Sequence, residues 1–191
     1  MTLLTVWNDT DPSTPELQTR DFDTIREVLA GLDARFSRWE LKELSPEATQ
    51  DEVLALYRSE IDGVNADHGY TLVDVVSITR ADTDEYRAQA EAARGKFLNE
   101  HQHDDDEDRF FARGSGVFYL HAKGKVHAVF CEAGDLLSVP KDTTHWFDMG
   151  TNPDYVSVRF FHDDDGWVGH FTGSDVAAKF ATYDELASVS A

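Results

Sequence analysis

Four side chains of the kinds that bind transition metals lie in two short stretches of the sequence. His101 and His103 are separated by one residue, Glu107 lies within the acidic run 104–108, and His145 follows far downstream. Imidazole nitrogens with one carboxylate suit Fe, Ni, Mn, Cu or Zn. The pattern indicates a candidate metal site. The alternative is an exposed His-x-His in a polar loop, followed by a solvated acidic run.

The alternation of side chains along a strand distinguishes Glu107 from the neighbouring acidic residues. In an extended strand, successive side chains point to opposite faces, with a period of two residues. If residues 101–109 are extended, Glu107 and Arg109 point the same way as the two histidines, whereas Asp106 and Asp108 point the other way. A tight turn inside the run would break this argument.

Glycine and proline positions around these residues complete two spaced motifs. Residues 95–114 spell G-x5-H-x-H-x3-E-x6-G, and residues 134–145 spell G-x5-P-x-D-x2-H. Both resemble the motifs of cupins. The second motif departs from the usual pattern, with Asp142 in place of glycine and Met149 in place of asparagine. Neither departure falls on a ligand position of cupins.

The residues between the motif positions narrow the resemblance to acireductone dioxygenases. The specific resemblance covers residues 95–173, while the first half of the chain is compatible in length and order. The match runs over five stretches, which are KFLNEHQHDDDEDRFF at 96–111, GSGVFYLH at 114–121, CEAGDLLSVP at 131–140, HWFDMG at 145–150 and GWVGHFTG at 166–173.

The resemblance implies a metal-dependent dioxygenase of methionine salvage that cleaves 1,2-dihydroxy-3-keto-5-(methylthio)pentene, an acireductone, with O2. With Fe(II) the family forms formate and 2-keto-4-(methylthio)butanoate. With Ni(II) it forms formate, carbon monoxide and 3-(methylthio)propanoate. The resemblance also implies one Fe(II) or Ni(II) ion per chain, bound by His101, His103, Glu107 and His145. Two alternatives stay open: a manganese-type oxalate-degrading cupin, and a non-catalytic cupin that binds a small ligand.

Three charged residues near the candidate ligands receive catalytic roles from the same resemblance. Arg109 would favour the ionised substrate and stabilise a developing oxyanion. Its alternative role is a salt bridge to the neighbouring carboxylates. Glu100 and Asp106 match family positions linked to metal incorporation and to conformational coupling. The alternative for both is an ordinary surface acid.

Three aromatic residues match the substrate pocket of the family. Phe97, Phe147 and Trp167 would shape an apolar slot for the methylthioethyl tail. The alternative for each is a place in the barrel core. The remaining histidines lie outside the motifs, and we expect them to be structural or surface residues. They are His68, His121, His127, His162 and His170.

A helix-rich part and a strand-rich part of the chain must position these residues. We expect one domain over residues 1–191, mainly β with α: a helix-rich part at 1–94, a cupin barrel (a double-stranded β-helix, or jelly-roll) at 95–173 and a tail at 174–191. Capping-box spacings at 24–27 and 49–52 predict two helices, the second continuing to residue 64. A third is expected from 82 or 83 to 95, and a short fourth at 176–180. Strands are predicted at 36–39, 70–79, 108–111, 117–121, 126–130, 136–139, 145–148, 155–161 and 167–171.

Composition limits the partners of the chain. Among 191 residues, 37 acidic and 17 basic side chains give a net charge of −20, so phosphates and anionic lipids are repelled. We therefore expect neither nucleic acid nor a membrane as partner. Cys131 is the only cysteine, no apolar run reaches membrane-span length and the first residues lack a basic leader. These features predict a cytoplasmic monomer, whose acidity reflects ordinary solubility or salt adaptation.

Overall fold

Two antiparallel sheets pack face to face in the computed structural model, which describes residues 1–162 and 168–190. The strands are β1 Leu3–Asn8, β2 Leu17–Thr19, β3 Arg35–Arg38, β4 Leu72–Ile78, β5 His101–Gln102, β6 Glu107–Arg113, β7 Ser115–Ala122, β8 Lys125–Glu132, β9 Asp135–Val139, β10 His145–Asp148, β11 Tyr155–Phe161 and β12 His170–Phe171. The seven-stranded sheet has the order β12-β5-β10-β7-β8-β1-β2, and the five-stranded sheet has the order β3-β9-β6-β11-β4.

The helices lie outside the sheets. They are α1 Phe22–Ala30, α2 Gln50–Leu56, α3 Arg58–His68, α4 Asp84–Phe97 and α5 Tyr183–Ser190, with a 3-10 helix at Val176–Lys179. The prediction of a mainly β fold with helices is confirmed. Among residues 1–162 and 168–190, none of the helices is both long and apolar enough to cross a bilayer.

The space between the two sheets holds the inner core. Leu120 and Phe147 of the seven-stranded sheet meet Leu137 and Phe111 of the five-stranded sheet in one buried apolar cluster. Because strand side chains alternate, neighbouring residues such as Phe110 point outward, where α2 and α3 cover them. Every second side chain of each strand therefore points into the barrel. The candidate site lies in that interior.

The first half of the chain contributes strands to both sheets, in addition to its helices. β1 pairs with β8 along its whole length, from Leu3 opposite Phe130 to Asn8 opposite Lys125. β4 pairs with β11. The strands predicted at 36–39 and 70–79 are present as β3 and β4. Two further strands, β1 and β2, are not predicted from the sequence. Residues 3–78 thus supply an essential part of the barrel wall.

Helix boundaries agree only partly with the capping predictions. Thr49 and Glu52 form the predicted capping box, and Thr83 caps α4. The box predicted at 24–27 is wrong, because the side chain of Asp21 accepts the hydrogen bond of Thr24 N and starts α1 three residues earlier. The helix predicted to run from 53 to 64 is broken at Tyr57, the residue between α2 and α3.

The end predicted for α4 at Gly95 is also wrong. The backbone N–H of Leu98 still bonds to the Arg94 carbonyl, so the helix continues through Phe97. Glycine here occupies an ordinary helical position and does not take the left-handed conformation that ends many helices.

Candidate metal centre

Three imidazoles meet at one end of the barrel interior. β5 lies beside β10, and His145 is paired directly with His101. One ring nitrogen from each of His101, His103 and His145 lies within 4.8 Å of the others, and all three residues are buried. Strand pairing therefore brings the two distant parts of the sequence motif together.

Backbone carbonyls set the orientation of each imidazole. In all three rings Nδ1 faces a carbonyl oxygen, at 2.7 Å from Asn99 O for His101, 2.5 Å from Val168 O for His103 and 2.7 Å from Thr143 O for His145. A carbonyl oxygen can only accept, so Nδ1 carries the proton in each ring. Each neutral ring therefore presents the lone pair of Nε2 to the centre, as a metal-binding histidine does.

Glu107 completes the set of candidate ligands. Its Oε2 lies 2.9 Å from His103 Nε2 and 3.3 Å from His145 Nε2. A carboxylate also only accepts, so its lone pairs and those of Nε2 repel one another unless a proton or a cation lies between them. Three imidazole nitrogens and one carboxylate suit a divalent transition metal, and the residues present fit such an ion.

The ionisation of this cluster follows from burial and from its internal charges. Burial favours the neutral acid of Glu107, but Arg109 and the two imidazoles outweigh it and hold the pKa of the carboxyl well below its usual range. Burial also disfavours the imidazolium of His103, yet its contact with Glu107 raises the pKa of His103. Burial and the neighbouring His145 lower the pKa of His101 to about 4.

The stretch that carries three of the candidate ligands is not one continuous strand. The chain bends at Asp104 and Asp105 between β5 and β6, which contradicts the extended conformation expected over 101–109. Asp105 stabilises the bend, because its side chain accepts hydrogen bonds from the backbone N–H groups of Asp106 and His162. Alternation holds again from Glu107 onward, where β6 begins.

Arg109 is a buried neighbour of Glu107 on the inner face of β6. Its NH2 donates to Glu107 Oε1 at 2.6 Å, and its guanidinium carbon lies 5.0 and 4.7 Å from the ring centres of Phe118 and Phe147. Its Nε has no hydrogen-bond partner within the described part of the chain. Arg109 therefore forms the salt bridge considered above and also keeps one buried donor available.

Glu100 and Asp106 each lie one residue before a candidate ligand, His101 and Glu107 respectively. Glu100 is only 4% exposed, so it is not a surface acid. It accepts hydrogen bonds from the Thr172 hydroxyl and pairs with His121 Nδ1, both at 2.7 Å. Asp106 is half-buried and accepts from Lys141 N at 2.9 Å, which ties the ligand bend to the turn before β10.

Of the predicted pocket aromatics, Phe147 lies in the barrel beside Arg109. Phe147 is buried, with its ring centre 4.8 Å from Phe118 and 6.5 Å from Phe97, which is half-buried at the end of α4. Gly116 makes room for this packing, since a Cβ there would lie 2.4 Å from the Phe147 ring. Trp167 lies outside the described residues.

Sequence reasoning missed the contacts that orient the site. The sequence predicts that His121 is a structural or surface residue but does not identify its partner, which is the buried Glu100. The carbonyl of Val168 reaches His103 from a distant part of the chain. No local pattern marks either contact, because each depends on which strands become neighbours. The sequence alone identifies the residue types at the ligand positions, but not the contacts that orient them.

Known proteins resemble the chain over nearly its whole length. A family model described as the ARD/ARD′ family matches residues 4–169. An acireductone dioxygenase of Saccharopolyspora erythraea is 59% identical over 186 residues, which cover 97% of this chain and 98% of the relative. Another, of Frankia alni, is 53% identical over 189 residues and covers 98% of this chain and 91% of the relative.

A solved structure has the same fold. An acireductone dioxygenase from Bacillus anthracis, with a cadmium ion in its active centre, superposes with a TM-score of 0.76 at 26% identity. It covers 90% of this chain and 98% of its own. This likeness confirms the fold class predicted from the two spaced motifs.

Proposed function

The chain belongs to the acireductone dioxygenase family, and from this premise we propose that it cleaves an acireductone with O2 at the cluster of His101, His103, Glu107 and His145. The acireductone is 1,2-dihydroxy-3-keto-5-(methylthio)pentene. The observation that carries the proposal is the convergence of three buried imidazole nitrogens, two of which face the buried carboxylate of Glu107. Membership of this family favours the reaction over manganese-type oxalate chemistry and over ligand binding without catalysis.

The four candidate ligands set the charge of the centre. Three neutral imidazoles and one carboxylate leave a divalent ion with one net positive charge. Bound Fe(II) or Ni(II) would supply Lewis acidity and a template for a chelating enediol. The ligands themselves hold the site dry and fixed, because each is buried and each imidazole is anchored to a backbone carbonyl.

Arg109 supplies a positive charge that would face the bound substrate. Its guanidinium is held by Glu107 on one side and packs against the rings of Phe118 and Phe147. The unpartnered Nε–H is a donor for an ionised enediol oxygen, and in a buried setting such a bond is stronger than in water. Arg109 therefore favours the anionic form of the substrate. The aromatic rings exclude water and provide an apolar surface for the methylthioethyl tail.

The finer assignments follow from the resemblance. The Fe(II) form would yield formate and 2-keto-4-(methylthio)butanoate, the precursor of methionine, and the Ni(II) form would yield formate, carbon monoxide and 3-(methylthio)propanoate. We propose one metal ion per chain, a cytoplasmic monomer, and acireductone and O2 as the only reaction partners. The net charge of −20 supports the absence of nucleic acid and membrane partners.

The test is reconstitution of one metal-free preparation with Fe(II) or with Ni(II), followed by analysis of the products. We expect O2 uptake with both metals, a keto acid from the iron protein and carbon monoxide from the nickel protein. A metal-free sample is the control. Identical products would contradict the dependence on the metal, and no consumption of acireductone with either metal would overturn the proposed activity.

A further inference from the structure

His121 connects the residues that precede two candidate ligands. It lies at the end of β7, where its backbone N–H donates to Thr144 O at 2.8 Å, one residue before His145. Its side chain pairs through Nδ1 with Glu100 Oε2 at 2.7 Å, one residue before His101. One residue thus holds both strands that bring the imidazoles together.

The buried Glu100 carboxylate is held from two sides. His121 contacts Oε2, and the Thr172 hydroxyl donates to Oε1 at 2.7 Å. Thr172 also donates its backbone N–H to the carbonyl of Glu100 at 3.1 Å. Both carboxylate oxygens are therefore engaged, and the orientation of the backbone before His101 is fixed.

The contact on the far side of His121 anchors its ring. Nε2 lies 3.3 Å from Asp9 Oδ2, just after β1 ends. The result is a chain of contacts from Asp9 through His121 and Glu100 to Thr172. This chain of contacts joins β1, β7 and the residues on either side of the β5–β12 pair.

The same chain also secures the third imidazole. Thr172 follows β12, whose Phe171 and His170 pair with His101 and Gln102. The carbonyl that accepts from His103 Nδ1 belongs to Val168, which precedes this strand. Fastening residue 172 to Glu100 therefore holds the segment that orients His103.

We infer that the side chain of His121 is a positioning residue of the metal centre, acting through Glu100. The inference rests on the proposed metal site and deepens it. Partners that orient metal ligands typically contribute about 10- to 100-fold to metal affinity or activity. The same order of effect is expected here, because loss of the ring frees Glu100 Oε2 and the strand that leads into His101.

The experiment compares His121→Phe, His121→Asn and a control variant, His127→Phe. His127 is a buried histidine on the adjacent strand β8, and its Nδ1 faces the Leu120 carbonyl at 3.3 Å. Each purified full-length protein is titrated with Ni(II) and with Co(II). The Co(II) absorption spectrum reports ligand geometry, and thermal unfolding of the metal-free proteins reports folding.

We expect His121→Phe to bind Ni(II) about 10- to 100-fold more weakly and to show an altered Co(II) spectrum. His121→Asn should recover most of the affinity, because its amide N–H can replace Nδ1–H toward Glu100. The control should retain the wild-type affinity and spectrum. Wild-type affinity in His121→Phe, or an equal loss in His127→Phe, would overturn the inference. Failure of the wild-type protein to bind either metal would instead overturn the proposed site.

Discussion

Replacing Arg109 by methionine tests whether this residue serves the substrate or only the fold. The substitution keeps a long apolar side chain between Phe118 and Phe147 but removes the charge and all the N–H donors of the guanidinium. We expect the variant to retain Ni(II) or Fe(II), because Arg109 offers no lone pair to a metal. Turnover should fall, because the buried donor for the ionised enediol is lost.

The size of the catalytic loss follows from the surroundings of the donor. Arg109 is 2% exposed, and its Nε has no partner in the described part of the chain, so a substrate oxygen would meet it without competition from water. Removing one buried donor to a developing oxyanion typically lowers kcat about 10²- to 10³-fold. The same order is expected for Arg109→Met.

The loss of stability in Arg109→Met should depend on whether a metal ion is bound. Arg109 and Glu107 form an ion pair at 2.6 Å with side chains only 2% and 3% exposed. Removing one partner of such a pair costs about 3–5 kcal/mol, since the other charge stays buried and uncompensated. A metal ion on Glu107 supplies that compensation, so the loss should be larger in metal-free protein than in Ni(II)-loaded protein.

The assay combines metal content after dialysis, kcat with acireductone, and urea unfolding with and without Ni(II). Arg35→Met is a matched control, because Arg35 contacts Asp108 at 3.1 Å on the outer face of the same strand. It should lose stability but keep the wild-type kcat. Near-normal kcat in Arg109→Met would assign Arg109 to structure alone, and loss of metal would show that it holds the ligands.

Three further predictions concern the ligands, the packing and the pH dependence of stability. His145→Ala should bind Ni(II) far more weakly in equilibrium dialysis, because one of three converging nitrogens is lost. Gly116→Ala should destabilise the fold by about 1–3 kcal/mol in urea unfolding, since its Cβ would lie 2.4 Å from the Phe147 ring. Burial lowers the pKa of His162, but Asp105 outweighs it and raises the pKa. The stabilisation from this pair is therefore present below about pH 6.5 and is lost as pH rises through the folded-state pKa. In thermal unfolding, the loss of stability of His162→Gln relative to the wild type should thus become smaller from about pH 5 to about pH 8.

Each of these predictions has a contradicting result. Unchanged metal content in His145→Ala would remove that residue from the centre. Gly63→Ala is the control for the packing test, because nothing lies within 4 Å of its added Cβ. It should stabilise α3 by about 0.5–1 kcal/mol. Equal effects of the two glycine variants on stability would refute the steric argument. A loss of stability in His162→Gln that grows with pH would refute the raised pKa of His162.

The cluster that we propose as a metal centre could be predicted largely from sequence, because ligand chemistry depends on residue type and spacing. The His-x-His pair, Glu107 and His145 lie in strongly patterned sequence, and the structure brings them together. The premise of one extended strand was nevertheless wrong, because Asp105 turns the chain between His103 and Glu107. Glu107 and Arg109 still share a face as the parity argument requires, because both lie in β6, where alternation holds.

Other features depend on tertiary neighbours and left no local signal. β1 is buried on both faces, so its sequence LLTVWN reads as a short apolar run without alternation. The break at Tyr57 is not visible in helical periodicity, since the ring is buried against Phe110 in the folded protein. The role of His121 depends on the pairing of β7 with β10 and on the return of residue 172 to β5.

The most direct test of the account is a crystal structure of the protein loaded with Ni(II), with the metal located by anomalous scattering. We predict one ion per chain in contact with Nε2 of His101, His103 and His145 and with a carboxylate oxygen of Glu107. Each Nδ1 should remain on its backbone carbonyl. An ion bound elsewhere, or bound without Glu107, would contradict the central claim.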